Sequence, residues 1–152
     1  MHIAVIGQES AALCLAAGCG VLPLRSLAEA QGQDWDLLAL LRDASACPAQ
    51  GCLRTRCLLL PGDSGASLAL SIQAGQLVGY GFSPRHTLTL SSLNGPERLL
   101  CLQRAVLTLD GTLLEPQELP LPQELSNLDA EQALLAAGVR LLCARGAVNP
   151  AS

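Results

Sequence analysis

The sequence contains no lysine, few aromatic residues and little charge, and each shortage argues against a class of function. All nine cations are arginines spread along 152 residues, so there is no basic stripe for a nucleic-acid backbone. Only Trp35, Tyr80 and Phe82 are available to stack on nucleobases or sugars. With 14% charged and 50% hydrophobic residues, an extended disordered chain is not expected. The composition therefore indicates a globular domain that does not bind nucleic acid.

No apolar run is long enough to span a membrane as a helix. The uncharged run 10–24 has 15 residues, whereas a spanning helix needs roughly 20. Gly18, Gly20 and Pro23 interrupt this run, and the segment before it carries Glu9 but no cation. An export signal begins with positive charge, so the sequence predicts a cytoplasmic protein without a membrane span.

The seven cysteines are odd in number and are expected to be small apolar residues in a reducing compartment. Cys47, Cys52 and Cys57 form one cluster, with four residues between successive cysteines. This spacing matches none of the usual zinc or iron–sulfur patterns. The sequence therefore predicts no metal site and no cofactor.

The first half of the chain alternates predicted strands and helices. The apolar run 2–7 ends in glycine and predicts a buried strand, and a helix over 8–17 follows, with Ser10 as its cap. A weak strand at 21–24, a short helix at 26–31 capped by Ser26, a buried strand at 36–41 and a loop over 43–54 come next. For 36–41 the apolar pattern fits a helix as well, although the alternation favours a strand.

The clearest local unit lies in the middle of the chain. A strand at 56–60, a turn at 61–65, a helix at 66–74 with Gly75 at its end and a strand at 76–81 are predicted. A crossover of this size joins parallel strands. We therefore expect a Rossmann-like α/β fold, with a mostly parallel sheet and flanking helices.

The second half changes to a period of two, which predicts antiparallel strands. The runs 86–93, 101–109 and 112–114 alternate polar and apolar residues, and Asp110-Gly111 between the last two is a strong hairpin signal. Pro116, Pro120 and Pro122 are expected to end this section. A helix over 128–144, capped by Asn127 or Asp129, closes the chain. The whole is one domain over 1–152, in which residues 1–82 form the parallel section, residues 83–122 form the antiparallel section and the closing helix lies within 126–146.

Candidate ligand-binding residues follow the strands of the parallel section, where open α/β sheets bind ligands. Asp63 can accept a hydrogen bond from a ribose or an amide, and Ser64 can cap the next helix. The loop 81–87 contains a serine, an arginine and a histidine, which together suit an anion site or a general base. The six candidates are Asp63, Ser64, Tyr80, Ser83, Arg85 and His86. Ordinary turn chemistry is the alternative explanation of the sequence around Asp63.

The first strand-to-helix turn, residues 7–10, lacks the features of a phosphate cradle. A phosphate loop needs several glycines and a lysine, whereas this turn has one glycine and Glu9, which would repel phosphate. Nucleotide hydrolysis through this turn is therefore not expected.

A polar cluster on the predicted hairpin is a candidate interaction face. Arg104 and Glu115 flank the predicted turn, and the hairpin is expected to bring them together across its two strands. The pair is either an exposed ion pair worth well under ~1 kcal/mol or a component of a surface that docks a partner. The face consists of Gln103, Arg104, Glu115, Gln117 and Glu118.

The run 77–83, Leu-Val-Gly-Tyr-Gly-Phe-Ser, followed by Thr-Leu-Thr at 87–89, resembles the tyrosine-glycine strand late in the central ATP-binding domain of Mur ligases. The turn at 61–64 stands where that family has Asn-Ala-Asp-Asp, and 127–146 is similar to the family's Asn- and Ala-rich helix. The resemblance covers residues 56–146.

The family's phosphate loop, catalytic lysine, magnesium-binding residues and C-terminal domain have no counterpart, and of its nucleotide-contacting turn only Asp63 remains. The resemblance implies a Mur-ligase-like fragment without ligation chemistry. Such a fragment would bind a nucleotide-like or cell-wall-precursor ligand, or another protein.

These observations lead to three functional hypotheses. The first is a non-catalytic bacterial accessory domain that binds a ligand or a protein. The second is a small enzyme in which Asp63 and His86 act at the carboxyl edge of the sheet. The third is an obligate homo-oligomer, because half of the residues are apolar in a short chain.

Overall fold

A computed structural model describes residues 2–17, 20–46, 53–62, 72–91 and 98–143 of the protein. Its strands are β1 (Ile3–Ile6), β2 (Leu22–Leu24), β3 (Asp34–Leu40), β4 (Leu53–Pro61), β5 (Ile72–Tyr80), β6 (Leu88–Leu90), β7 (Leu99–Leu102), β8 (Val106–Leu107), β9 (Leu113–Leu114) and β10 (Gln117–Pro120). The α-helices are α1 (Ser10–Ala17) and α2 (Ala130–Cys143). Short 3-10 helices lie at Leu27–Ala30, Arg42–Ala46 and Gln123–Leu125.

Eight of these strands form one sheet in the order β2-β1-β3-β4-β5-β6-β7-β10. Every neighbouring pair from β2 to β6 is parallel, whereas β7 is antiparallel to both β6 and β10. β8 and β9 form a separate two-stranded antiparallel sheet. The predicted α/β fold is confirmed: a mostly parallel sheet, a small antiparallel sheet and a C-terminal helix.

The sheet is buried on both faces, as the continuous apolar strands require. On one face Ile3 and Val5 of β1 join a core cluster with Leu13 of α1 and the apolar side of α2. On the other face Ala4 and Ile6 join a cluster with Leu27 from the 3-10 helix Leu27–Ala30. Within the described ranges no helix is long and apolar enough to cross a membrane.

Helix α2 begins at Ala130, directly after Asp129, which is one of its two predicted caps. The Asp129 carboxylate accepts the Gln132 N–H at 2.8 Å, so Asp129 rather than Asn127 caps the helix. Gly138 lets the helix approach the sheet closely, because a Cβ there would lie 3.0 Å from side-chain methyls of both Leu59 and Leu88.

The predicted helix over 66–74 is wrong at its end. β5 begins at Ile72, and Ile72 and Ala74 pair with Leu53 and Thr55 along β4. Gly75 is therefore a strand residue and not a helix cap, and a Cβ there would lie 2.9 Å from the Arg56 carbonyl oxygen. Because β4 extends back to Leu53, it needs a partner that reaches equally far. The rest of the predicted helix lies outside the described residues.

The antiparallel section differs from the prediction in its strand boundaries. The run 101–109 contains the end of β7 and all of β8, with a break between them. Pro116, expected to end the section, is followed by β10, which pairs with β7, extends the large sheet and has Pro120 as its last residue. A proline fits there because β10 is an edge strand.

The Asp110-Gly111 hairpin is confirmed, although its register is not that of a two-residue turn. Leu107 pairs with Leu113, and the Thr108 N–H donates to the Thr112 carbonyl at 2.9 Å, so residues 109–111 form the connection. Gly111 adopts a φ of 90°, as the last residue of a three-residue connection requires.

Candidate functional site

The strand order creates a crevice at the carboxyl ends of β1 and β3. The chain runs from β1 to β2 on one side and then crosses to β3 on the other, so the loops that follow β1 and β3 diverge. Ligands of open α/β sheets bind at such a reversal of strand order. Here an open crevice of about 230 Å³ is lined by Gln8, Glu9, Leu41, Arg42, Asp43, Asp129, Glu131 and Gln132.

The turn after β1 is closed by a carboxylate from the neighbouring loop. The Gln8 N–H donates to Asp43 Oδ2 at 2.9 Å. Gly7 has a φ of 151°, and a Cβ there would lie 2.7 Å from Asp43 Oδ1 and 2.6 Å from Leu41 Cδ1. The backbone N–H that could hold a phosphate oxygen is thus already bonded to the chain's own carboxylate.

The crevice is acidic. Glu9, Asp43, Asp129 and Glu131 contribute four carboxylates, and Arg42 contributes the guanidinium among the lining residues. Arg42 Nε lies 3.5 Å from Glu131 Oε1, which makes an ion pair. That oxygen is buried and accepts no hydrogen bond, so the pair lacks hydrogen-bond geometry. Arg42 and Glu131 are therefore held by charge rather than by a hydrogen bond.

The acidic side chains of the crevice do not form a metal site. Among the residues that the structure describes, no group of three histidine, cysteine, aspartate or glutamate side chains is arranged to hold a metal ion. The oxygens of these carboxylates can accept hydrogen bonds from N–H donors.

Tyr80, a predicted ligand-binding residue, lies in the core near this crevice. Its side chain is 1% exposed, and its hydroxyl donates to the Leu40 carbonyl at 2.6 Å. Burial raises the pKa of the Tyr80 hydroxyl, and the nearby Glu131 carboxylate adds to the rise. The hydroxyl has a structural partner at the end of β3, and its contact with a ligand stays a prediction.

Three other predicted site residues do come together in the loop after β5. The Ser83 N–H donates to His86 Nδ1 at 3.3 Å, and the His86 N–H donates to the Ser83 carbonyl at 3.0 Å. The Arg85 N–H donates to Ser83 Oγ at 3.3 Å. These bonds fold the loop back on itself and aim the imidazole inward.

The His86 ring fills a slot between two glycines and is only 9% exposed. A Cβ at Gly81 would overlap Cε1 and Nδ1 of the ring, and a Cβ at Gly62 would overlap Cδ2 and Nε2 on its opposite edge. Gly62 directly follows the end of β4, and Gly81 directly follows the end of β5. The imidazole therefore packs the carboxyl ends of the two strands together.

Asp63 and Ser64, the remaining candidates of this set, lie outside the described residues. The hypothesis that Asp63 and His86 act together as catalytic groups stays a prediction. The Cys47 and Cys52 members of the cysteine cluster also lie outside the described residues.

The predicted ion pair between Arg104 and Glu115 is wrong. Arg104 Nη1 donates instead to the Arg85 carbonyl at 2.5 Å, and the Glu115 carbonyl accepts Gln117 Nε2 at 3.1 Å. Leu107 pairs with Leu113 and Val106 with Leu114, and continuing this register sets Ala105 rather than Arg104 level with Glu115. The interaction face (Gln103, Arg104, Glu115, Gln117, Glu118) stays a prediction, and all of these side chains except the half-buried Gln117 are exposed.

Two polar side chains of the large sheet hold the β8–β9 hairpin in place. Gln76 on β5 donates from Nε2 to the Leu107 carbonyl at 2.9 Å and accepts the Leu107 N–H at 2.8 Å. Arg56 on β4 donates to the Leu109 carbonyl at 2.8 Å and to Asp36 Oδ1 at 3.2 Å. Partial burial alone would raise the pKa of Asp36. Hydrogen bonds from the His2 N–H and Arg56 outweigh that effect and hold the pKa below its usual value.

Replacing Gln76 with glutamate should detach the hairpin from the sheet. A carboxylate cannot donate to the Leu107 carbonyl, so we expect a loss of about 1–2 kcal/mol in the free energy of unfolding. Urea denaturation measures this loss, and faster hydrogen exchange of the Leu107 amide locates it. Gln73→Glu is the matched control, since Gln73 is an exposed glutamine on the same strand. Equal effects of both substitutions would contradict the role of Gln76.

Four of the cysteines lie in the described residues and all are free thiols: Cys14, Cys57, Cys101 and Cys143. Cys57 is buried on β4, and burial raises its pKa to about 11. Burial also raises the pKa of Cys14 and Cys101, which are more exposed. A raised pKa makes the thiols of Cys14, Cys57 and Cys101 less reactive.

Cys57 should therefore be the least reactive of the four described cysteines. At pH 8 its raised pKa leaves about a hundredfold less thiolate than an unperturbed thiol has, and burial further blocks the reagent. We expect peptide-level mass spectrometry after brief iodoacetamide treatment to show Cys57 modified last. Labelling of Cys57 as fast as Cys101 in the folded protein would mean that β4 is open to solvent.

Comparison of the chain with known protein families, with curated proteins and with solved structures gives no match.

Proposed function

We propose that this chain is a non-catalytic binding domain whose ligand enters the crevice at the carboxyl ends of β1 and β3. The observation that carries the proposal is the hydrogen bond from the Gln8 N–H to the Asp43 carboxylate at 2.9 Å. It fills the place at which a phosphate would bind after the first strand. Together with the absence of lysine, it supports a ligand that is not held through a triphosphate.

The charge of the crevice supports a cationic ligand. Four carboxylates against one guanidinium repel phosphates and attract ammonium and guanidinium groups. The Glu131 side chain lines the crevice and is 29% exposed, so its carboxylate can attract the N–H of a cationic ligand. A cell-wall-precursor ligand would accordingly present an amine of its peptide to this site, rather than its phosphates.

The proposal also includes the class of domain and the compartment in which it works. The chain would be a degenerate, Mur-ligase-like accessory domain in the cytoplasm of a bacterium. This domain would have kept the sheet of the family and lost its ligase activity. Free cysteines among the described residues agree with a reducing compartment. The first turn, with Gly7 as its only glycine and Asp43 against it, agrees with the loss of nucleotide chemistry.

Calorimetric titration tests the proposal with three probes: a stem peptide that carries a free side-chain amine, Mg-ATP and a UDP-sugar. We expect binding of the amine-bearing peptide alone. Glu131→Gln and Asp129→Asn should each weaken it about fivefold or more, because each removes one charged acceptor. Glu115→Gln, an exposed glutamate away from the crevice, is the matched control. Binding of ATP or the UDP-sugar, or no response to the amine, would overturn the proposal.

Self-association is the second candidate function, supported by exposed leucines on the hairpin. Leu107 and Leu113 are 50% and 55% exposed and face each other across β8 and β9. Exposed apolar side chains that lie next to each other are often found at interfaces. Light scattering over a wide concentration range tests it, and replacing both leucines with serine should abolish any dimer that forms through this face.

A further inference from the structure

The first edge of the large sheet is β2, and its proline points away from the sheet. The Leu24 carbonyl accepts the Gly7 N–H at 2.9 Å, so the backbone of Leu24 faces β1. Backbone groups alternate along a strand, so Leu22 also faces β1 and Pro23 between them faces outward. Since proline has no N–H, this edge presents no donor within β2.

The other edge, β10, is arranged in the same way. The Leu121 N–H donates to the Arg98 carbonyl at 3.3 Å, which continues the register that pairs Leu119 with Leu100. Leu119 therefore faces β7, while Glu118 and Pro120 face outward. The N–H of Glu118 is thus the one outward donor within the two edge strands, and its side chain is exposed and charged.

We propose that Pro23, Glu118 and Pro120 are blocking residues that keep both sheet edges from pairing with a second copy of this chain. An incoming strand would find no donor at β2 and one donor at β10. A symmetric pair of β10 strands would also bring two Glu118 carboxylates close together, where like charges repel. The inference goes beyond the proposed function: a partner or second copy must bind through loops or faces, not by strand addition.

The test restores the missing donors. Pro23→Val and Pro120→Val each return one outward N–H and a residue that favours strands, and Glu118→Thr in the Pro120→Val background also removes the charge. Pro116→Val is the matched control, because Pro116 is exposed but lies before β10. Sedimentation velocity over a hundredfold range of concentration compares the variants with the wild-type protein. Hydrogen exchange then reports whether the Glu118 amide becomes protected as concentration rises.

We expect the Glu118→Thr/Pro120→Val variant to self-associate about tenfold or more tightly than the wild type, with new protection at the amide of residue 118. The Pro116→Val control should behave as the wild type does. Folded edge variants that associate no more than the control would overturn the proposal. Concentration-dependent protection of β2 or β10 amides in the wild-type protein would do so without any variant, since it would show an edge already paired.

Discussion

Replacing Gly7 with alanine is expected to lower the free energy of unfolding by about 3 kcal/mol or more. A φ of 151° is strained for any residue with a Cβ, and such backbone strain costs about 1–3 kcal/mol. The new methyl group would also lie 2.6–2.7 Å from Leu41 and Asp43 atoms, and overpacking of this kind costs about 1–3 kcal/mol. Urea denaturation of both proteins measures the difference.

Gly32→Ala separates the two contributions to the Gly7 effect. Gly32 also has a positive φ, 92°, but a Cβ there would meet no atom within 4 Å. The control should therefore show the backbone strain without the steric overlap, and its effect should be the smaller by about 1 kcal/mol or more. If the two alanines destabilise equally, Leu41 and Asp43 yield freely, and the turn after β1 is less tightly packed than the structure indicates.

Much of the fold could be predicted because its strands carry local signals. The run 2–7 ending in glycine contains β1, and the apolar run 36–41 covers most of β3, which begins at Asp34. Both are parallel strands inside the sheet, where burial on both faces demands continuous hydrophobicity. β10 could not be predicted in this way, because its four residues include Pro120 and only Leu119 is buried. Its position depends on pairing with β7, which is a tertiary interaction.

The helix wrongly predicted to end at Ala74 shows a second limit. Residues 72–74 resemble the end of a helix because a glycine follows them, and glycine commonly ends helices. In the structure their backbone pairs with β4 from Leu53 onward, so the length of the neighbouring strand decides the conformation. A glycine that permits close approach to the Arg56 carbonyl cannot be told from a helix cap by sequence alone.

The crevice escapes sequence reasoning because its residues come from three distant segments. Glu9, Asp43 and Glu131 are brought together by the order β2-β1-β3 and by the packing of α2 against α1. The sequence does predict strands before Gln8 and before Arg42, and a parallel sheet puts their carboxyl ends on one edge. What it cannot show is that β1 and β3 are neighbours. The loop at 81–87 is recognisable because its polar residues are adjacent in the chain.

The two interpretations of His86 also differ because one rests on neighbours in the sequence and the other on neighbours in space. By sequence His86 is a candidate general base, because it lies in a polar loop after a strand. The structure places its ring between Gly62 and Gly81, where it closes space that two absent side chains leave. The glycines next to the ends of β4 and β5 are therefore matched to the histidine. A substitution that tests this match also tests whether the ring is a structural element.

Replacing Gly81 with alanine should destabilise the protein by about 2–3 kcal/mol, because its Cβ would overlap Cε1 and Nδ1 of His86. The ring cannot move towards β4, since Gly62 lies against its opposite edge. Gly79→Ala is the matched control on β5, where a Cβ would make an ordinary 3.5 Å contact with the Gly62 Cα, and it should be tolerated. Chemical denaturation monitored by circular dichroism measures all three proteins.

Removing the ring should rescue the substitution. His86→Ala alone leaves a cavity and an unpaired Ser83 N–H, so it is expected to destabilise the fold by about 1–3 kcal/mol. In the Gly81→Ala/His86→Ala double variant the new methyl occupies some of the vacated space, so the combined loss should be smaller than the sum by about 1 kcal/mol or more. Additive losses would show that Gly81 and His86 act independently, and that the histidine is not what confines this position to glycine.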